Sequence, residues 1–313
     1  MERGTEEKIK NSLSNDIDVD LRDIIITLWN SKIFISAFVF IFAISSVFLS
    51  LSLTNIYKSD ALLKIVEDNN KSSDIASNYG GLASLAGIDI GSGANSDRGD
   101  YAIKIIQSRE FLKHLLKFDD VLPQLMAAQE FDTSKRETIF DPNIYDANKM
   151  IWVRAPSKNY KTVPTYLEVH EDYIGEYLTI EKDTKTGFIS ISVSHLSPDF
   201  AHYFLNLIIS EANNIVRLKD LKSSKDSLDY LNNQLVVNKK SELKSAISKL
   251  IESQLNIQML SNIRSEYLLE YLDKPFIPEK KYSPNRSLIC IFGTFFGFIL
   301  SSIIVLFRKY FYI

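Results

Sequence analysis

Four histidines, a lone cysteine and a few close carboxylates are the side chains here with the means to do chemistry. Their spacing argues against it. His114, His170, His195 and His202 are scattered. His195 and His202 stand seven apart across Pro198, with no cysteine or carboxylate at ligand spacing, so no metal site is expected. Glu168 and Asp172 would share one face of a helix, and on a surface helix such a pair is solvated rather than catalytic. Gly91-Ser92-Gly93 opens like a dinucleotide-binding loop, but Ser96 stands where the third glycine belongs and no strand of the right kind precedes it. The G-x-x-x-x-G-K-[ST] loop of a nucleotide-binding domain is absent. The expectation is therefore no catalytic residue, no cofactor, no metal and no enzymatic activity.

The elements around these residues explain more. A net charge of −3 with no long basic block speaks against nucleic acid. The 45% hydrophobic content is concentrated in two charge-free runs, Ile33 to Leu53 and Ser287 to Phe307. Each has about the ~20 residues that a helix needs to cross a bilayer. The first is too long, and starts too far in, for a cleaved leader, despite the small residues Ser50 and Ser52. Arg22 and Lys32 before the first run, with Arg308 and Lys309 after the second, place both termini in the cytoplasm. Residues 1–32 and 308–313 are then cytoplasmic tails, 33–53 and 287–307 are spans, and 54–286 lies outside, in a periplasm. Cys290 falls within a span, so the external domain has no disulfide. With tails this short, a two-span sensory receptor lacks an output domain.

The external domain begins with a strand-like stretch, Tyr57 to Val66. Residues 80–99 hold six of the eleven glycines and read as a loop. Apolar residues at helical spacing follow from Tyr101 to Phe118, and residues 123–160 read as loop and short helix. A short helix from Pro164 and a β-hairpin across Asp183 to Gly187 come next. From Pro198 no glycine or proline intervenes until Pro275, and Phe204, Ile208, Ile215, Leu228, Leu231 and Ile247 mark one face. This predicts a very long helix over about 198–274, or a coiled-coil-like hairpin, packed along one side against neighbours that include other copies of the chain. Pro275, Pro278 and Pro284 then stiffen a strut over 275–286 that returns the chain to the bilayer. Lys280, Lys281 and Arg286 sit in it, at a level where membrane lipid headgroups would attract them. In the second span Gly293, Gly297 and Ser301 fall four apart, a small-residue stripe for close packing on the first span, another protein's helix or a second copy. The fold class predicted is an α+β membrane protein: two transmembrane helices flanking a periplasmic α/β base with a very long protruding helix.

Four stretches in order resemble one family. DVDLRDIIITLWNSK leads into the first span; GGLASLAGI follows the first strand; KTGFISISVSHLSPDFAHYFLNLIISEANN enters the long helix; and PFIPEKKYSPNRSLI precedes the second span. Together they look like the Wzz-type polysaccharide co-polymerases, the O-antigen and polysaccharide chain length determinants without a kinase domain. The proline spacing here, three and then six, is less regular than the family's. The resemblance implies a non-enzymatic regulator in the bacterial inner membrane, forming a homo-oligomeric ring of often about eight subunits. It implies action beside a Wzy-type polymerase on glycan carried by undecaprenyl pyrophosphate. The rival roles are a structural adaptor of capsule or exopolysaccharide export and the sensory receptor.

Overall fold

The computed structural model describes residues 21–66, 95–157, 160–237 and 241–311. GGLASLAGI and residues 1–20 lie outside the described residues. The chain divides into two compact units, one of Met1–Thr54 with Pro284–Ile313 and the other of Asn55–Ser283.

The first unit holds α1 (Leu21–Asn30), α2 (Lys32–Ser52) and α9 (Arg286–Phe311). Helices α2 and α9 are long and apolar enough to cross a membrane. They run antiparallel, since Gly293 meets Ser46 while Gly297 meets Phe42.

The second unit is built on an antiparallel sheet, in the order β6-β7-β1-β8. Its strands are β1 (Tyr57–Ile65), β6 (Leu178–Lys182), β7 (Ile189–His195) and β8 (Leu269–Asp273). Alternation along β1 sends Ala61 and Leu63 inward, and β7 adds Ile189, Ile191 and Val193, all buried. The β6–β7 turn is closed by the Asp183 carboxylate, which accepts from Lys185 N–H and the Thr186 hydroxyl, with Gly187 at φ +74°.

Helix α7 (Pro198–Val237) begins where sequence chemistry says it should. Ser197 caps it by accepting from Phe200 N–H at 3.2 Å, and Pro198 takes the first position, where no N–H is needed. Its first half buries Phe204, Leu205, Ile208 and Ala212 in the core shared with the sheet. Short helices α3 (Asn95–Ile106), α4 (Arg109–Leu115), α5 (Val121–Ala127) and α6 (Tyr166–Asp172) complete that core. Ser108 divides α3 from α4 by capping Phe111 N–H.

Of the two arrangements expected over 198–274, the structure has the helical hairpin, and it ends at Ile263. A long helix is present as α7, but its stripe continues on a second helix, α8 (Ser241–Ile263), folded back against it. Arg217 reaches Ser261 O, Ser224 reaches Gln254 O, and Leu231 packs with Ile247 and Leu250, an antiparallel register throughout. Residues 269–273 are strand, not helix. The reason is burial: a lone helix would leave its apolar stripe in water, and folding back covers half with half. Two small hairpins also replace loop over 123–160. They are β2 (Ala128–Asp132) with β3 (Glu137–Phe140), and β4 (Tyr145–Asp146) with β5 (Ile151–Trp152).

Candidate functional site

The residues singled out by sequence fall into two groups, and neither is a catalytic constellation. The first is the helix pair α2 and α9. A Cβ added to Gly293 would lie 2.4 Å from Ser46 Cβ, and one added to Gly297 would lie 2.7 Å from Phe42 Cβ. Neither distance is possible between real atoms, so both positions require glycine at this helix separation. Ser301, third in the stripe, is fully buried and donates to Phe298 O at 2.9 Å. The facing residues on α2 are also small or turned inward: Ser46 and Ser50 are buried, and Ser46 donates to Ala43 O. Here the sequence held a signal that went unused. Phe42, Ser46 and Ser50 fall four apart, as Gly293, Gly297 and Ser301 do. Outward faces carry Phe40, Phe48, Ile291 and Phe295, suited to hydrocarbon.

The second group is the proline segment. After β8 the chain stays extended, alongside the first residues of β1. Ser59, buried, donates its hydroxyl to Phe276 O at 2.7 Å. Further on, Ile56 and Ser283 form an antiparallel bridge: Ile56 N–H donates to Ser283 O at 2.8 Å, and Tyr282 N–H to Ile56 O at 2.8 Å. Pro278 is buried and Pro275 half-buried. Proline is tolerated here because the segment is an edge, where a missing N–H breaks no ladder bond. Lys280 and Lys281 are exposed, Lys58 lies over the Tyr282 ring at 5.0 Å, and Arg286 opens α9 just after Pro284.

Several titratable groups among the described residues have structural partners. Glu168 is gripped by Arg154 through two bonds of 2.5 and 3.0 Å, and Arg154 also donates to Lys161 O. Asp172, on the same helix, has its carboxyl raised by burial and by the neighbouring Glu176, Glu168 and Glu171. His195 is buried and neutral: its Nε2 bonds Gln124 O, its Nδ1 accepts from Ser197 N–H, and burial pushes its pKa down to about 4. His114 bonds Glu211 at 2.5 Å, and His170 bonds Gln107 O. Among the described residues, no three His, Cys, Asp or Glu side chains come together to hold a metal. Asn213 was not anticipated. It is buried on α7, accepts from Leu268 and Leu269 N–H at 2.7 and 2.8 Å, and donates to Leu269 O at 3.0 Å.

Comparison with known proteins now bears on the first part of the chain. Residues 17–117 match the family model described as "Wzz: Chain length determinant protein". The matched segment is similar to Wzz. It takes in α1, α2, β1, α3 and α4, and so the lead-in motif, the first candidate membrane helix and the central strand. The resemblance of this chain to Wzz-type proteins therefore stands on a third of its length. Among solved structures, one titled "full-length bacterial polysaccharide co-polymerase" aligns at 14% identity and a TM-score of 0.44, covering 93% of this chain and 97% of that one. A "Fragment of WzzB, Polysaccharide Co-polymerase from Salmonella Typhimurium" aligns at 13% identity and 0.33, covering 73% and 99%. No curated protein matched.

Proposed function

We propose that this chain is a Wzz-type regulator of polysaccharide chain length, held in the inner membrane by α2 and α9. The observation that carries this reading is the Wzz match over residues 17–117, which spans the first membrane helix and the strand at the centre of the sheet. In this reading residues 54–286 form the periplasmic part and both termini are cytoplasmic. In this reading the chain acts by binding rather than by chemistry of its own. Its work is to present a surface to a Wzy-type polymerase and to the glycan growing on undecaprenyl pyrophosphate. It does so as a closed homo-oligomer, in which the unburied apolar residues of α7 and α8 meet other copies.

The experiment is deletion of the gene followed by gel separation of the host's surface polysaccharide. A clustered length distribution in the parent, collapsing to a random one in the deletion and restored by the gene in trans, is the expected result. An unchanged distribution in the deletion overturns the proposal.

A further inference from the structure

A groove of about 720 Å³ opens between the end of α1, the start of α2 and the last turns of α9. Its lining is sorted by chemistry along its length. One end is polar and cationic, with Thr27, Asn30, Arg308 and Lys309; the other is apolar, with Phe34, Ala37 and Ile304. Lys309 is held in place there by a 2.7 Å bond from its Nζ to Thr27 Oγ1. Arg308 and Asn30 are exposed at the mouth. The apolar end lies within the helices that qualify as membrane spans, so the medium that fills it is hydrocarbon rather than water.

From this arrangement we infer that the groove binds one anionic phospholipid, with its phosphate at Arg308 and Lys309 and its first acyl segment along Phe34, Ala37 and Ile304. An arginine fork and an ammonium beside amide and hydroxyl groups suit phosphate oxygens. From Asn30 to Ala37 a helix rises about 10 Å, which accommodates the glycerol-proximal part of an acyl chain. The groove on the other face of α2 contrasts with this one: Lys32 is its only charged lining residue, and the remainder is almost wholly apolar. The inference rests on the membrane placement of α2 and α9 and is independent of chain-length control.

The test uses the full-length protein in a mild detergent, offered equimolar phosphatidylglycerol and phosphatidylcholine, with retained lipid counted by native mass spectrometry. At about 1 kcal/mol for each of two cations, the expected preference for phosphatidylglycerol is about 30-fold. R308Q/K309Q should reduce the preference to near unity, while R308K/K309R keeps it. A37F, which fills the tail end, should lower retention of both lipids. Equal retention of the two lipids by the native protein would overturn the inference. So would a preference that survives R308Q/K309Q, or displacement of bound phosphatidylglycerol by an equal concentration of undecaprenyl phosphate.

Discussion

Asn213 and His195 each do a job that depends on partners far away in sequence. Asn213 closes the start of β8 by meeting two N–H groups and one carbonyl in a place water does not reach. Asn213→Leu keeps the branched shape, adds some volume and strands those three groups, which should cost about 3 kcal/mol. Denaturant unfolding followed by circular dichroism measures it, and a loss well under 1 kcal/mol would mean that the 268–269 backbone finds other partners. His195 makes stability depend on pH. Its folded pKa is about 4, against an unfolded value near 6.5. The unfolded chain therefore takes up the proton first as pH falls. The neutral imidazole's contribution is whole above about pH 6.5 and is lost on the way down to pH 4, a total of about 3 kcal/mol. Unfolding midpoints at pH 7.5 and 5 should converge in His195→Gln relative to the parent. An identical pH dependence in the two proteins would rule out this role. Neither role was legible in sequence, because a histidine beside Ser-Pro does not announce a bond to a carbonyl 71 residues earlier.

Elements were easier to read than their partners. Two apolar runs, the 178–193 hairpin, the helix start at Pro198 and the small-residue stripe are local patterns. The structure carries the two helices and the hairpin close to the expected positions. What the chain does after Val237 was not local. Without glycine or proline, periodicity alone cannot tell one long helix from two paired halves, and pairing is decided by where the apolar stripe finds cover. The 128–152 hairpins escaped for a similar reason. Their strands are short and held partly by aromatic contacts, Phe140 to Tyr145 at 5.5 Å and Tyr145 to Trp152 at 5.1 Å. At this scale the sharpest prediction concerns the helix pair. With Ser46 Cβ 2.4 Å from a Cβ at Gly293 and Phe42 Cβ 2.7 Å from one at Gly297, even alanine must force the helices apart. Gly293→Leu with Gly297→Leu should leave insertion intact, since hydropathy rises, while length control degrades. A cysteine cross-link between α2 and α9 should fall with it. If modal length stays at the parental value in the double variant, the stripe has no part in function.

For the whole molecule, the two units are joined by chain at only two places, after Thr54 and after Ser283. The second crossing carries the prolines, and the Ile56–Ser283 bridge binds the two exits of the second unit to one another. The β1–β8 register already shifts between Leu62 and Leu63, so pairing along this edge is not fixed by the ladder alone. Proline at 275 and 278 withholds the N–H groups that would let the ladder run on or slip, and leaves Ser59 to hold Phe276. Alanine at 275, 278 and 284 restores those donors and frees φ at all three positions. The segment can then extend β8 along β1 in a new register, pulling the chain short, or slacken between its two anchoring points. In either case the path into α9 changes while both helices keep their apolar faces. The triple alanine protein should therefore insert and assemble at parental levels but give shortened or randomised glycan. Neutralising Lys280, Lys281 and Arg286 should have a milder effect, since in the proposed topology charges at the membrane surface contribute about 1 kcal/mol each. Gel separation of surface polysaccharide at matched expression reads both. A parental modal length in the triple variant would mean that the segment is a tether and nothing more.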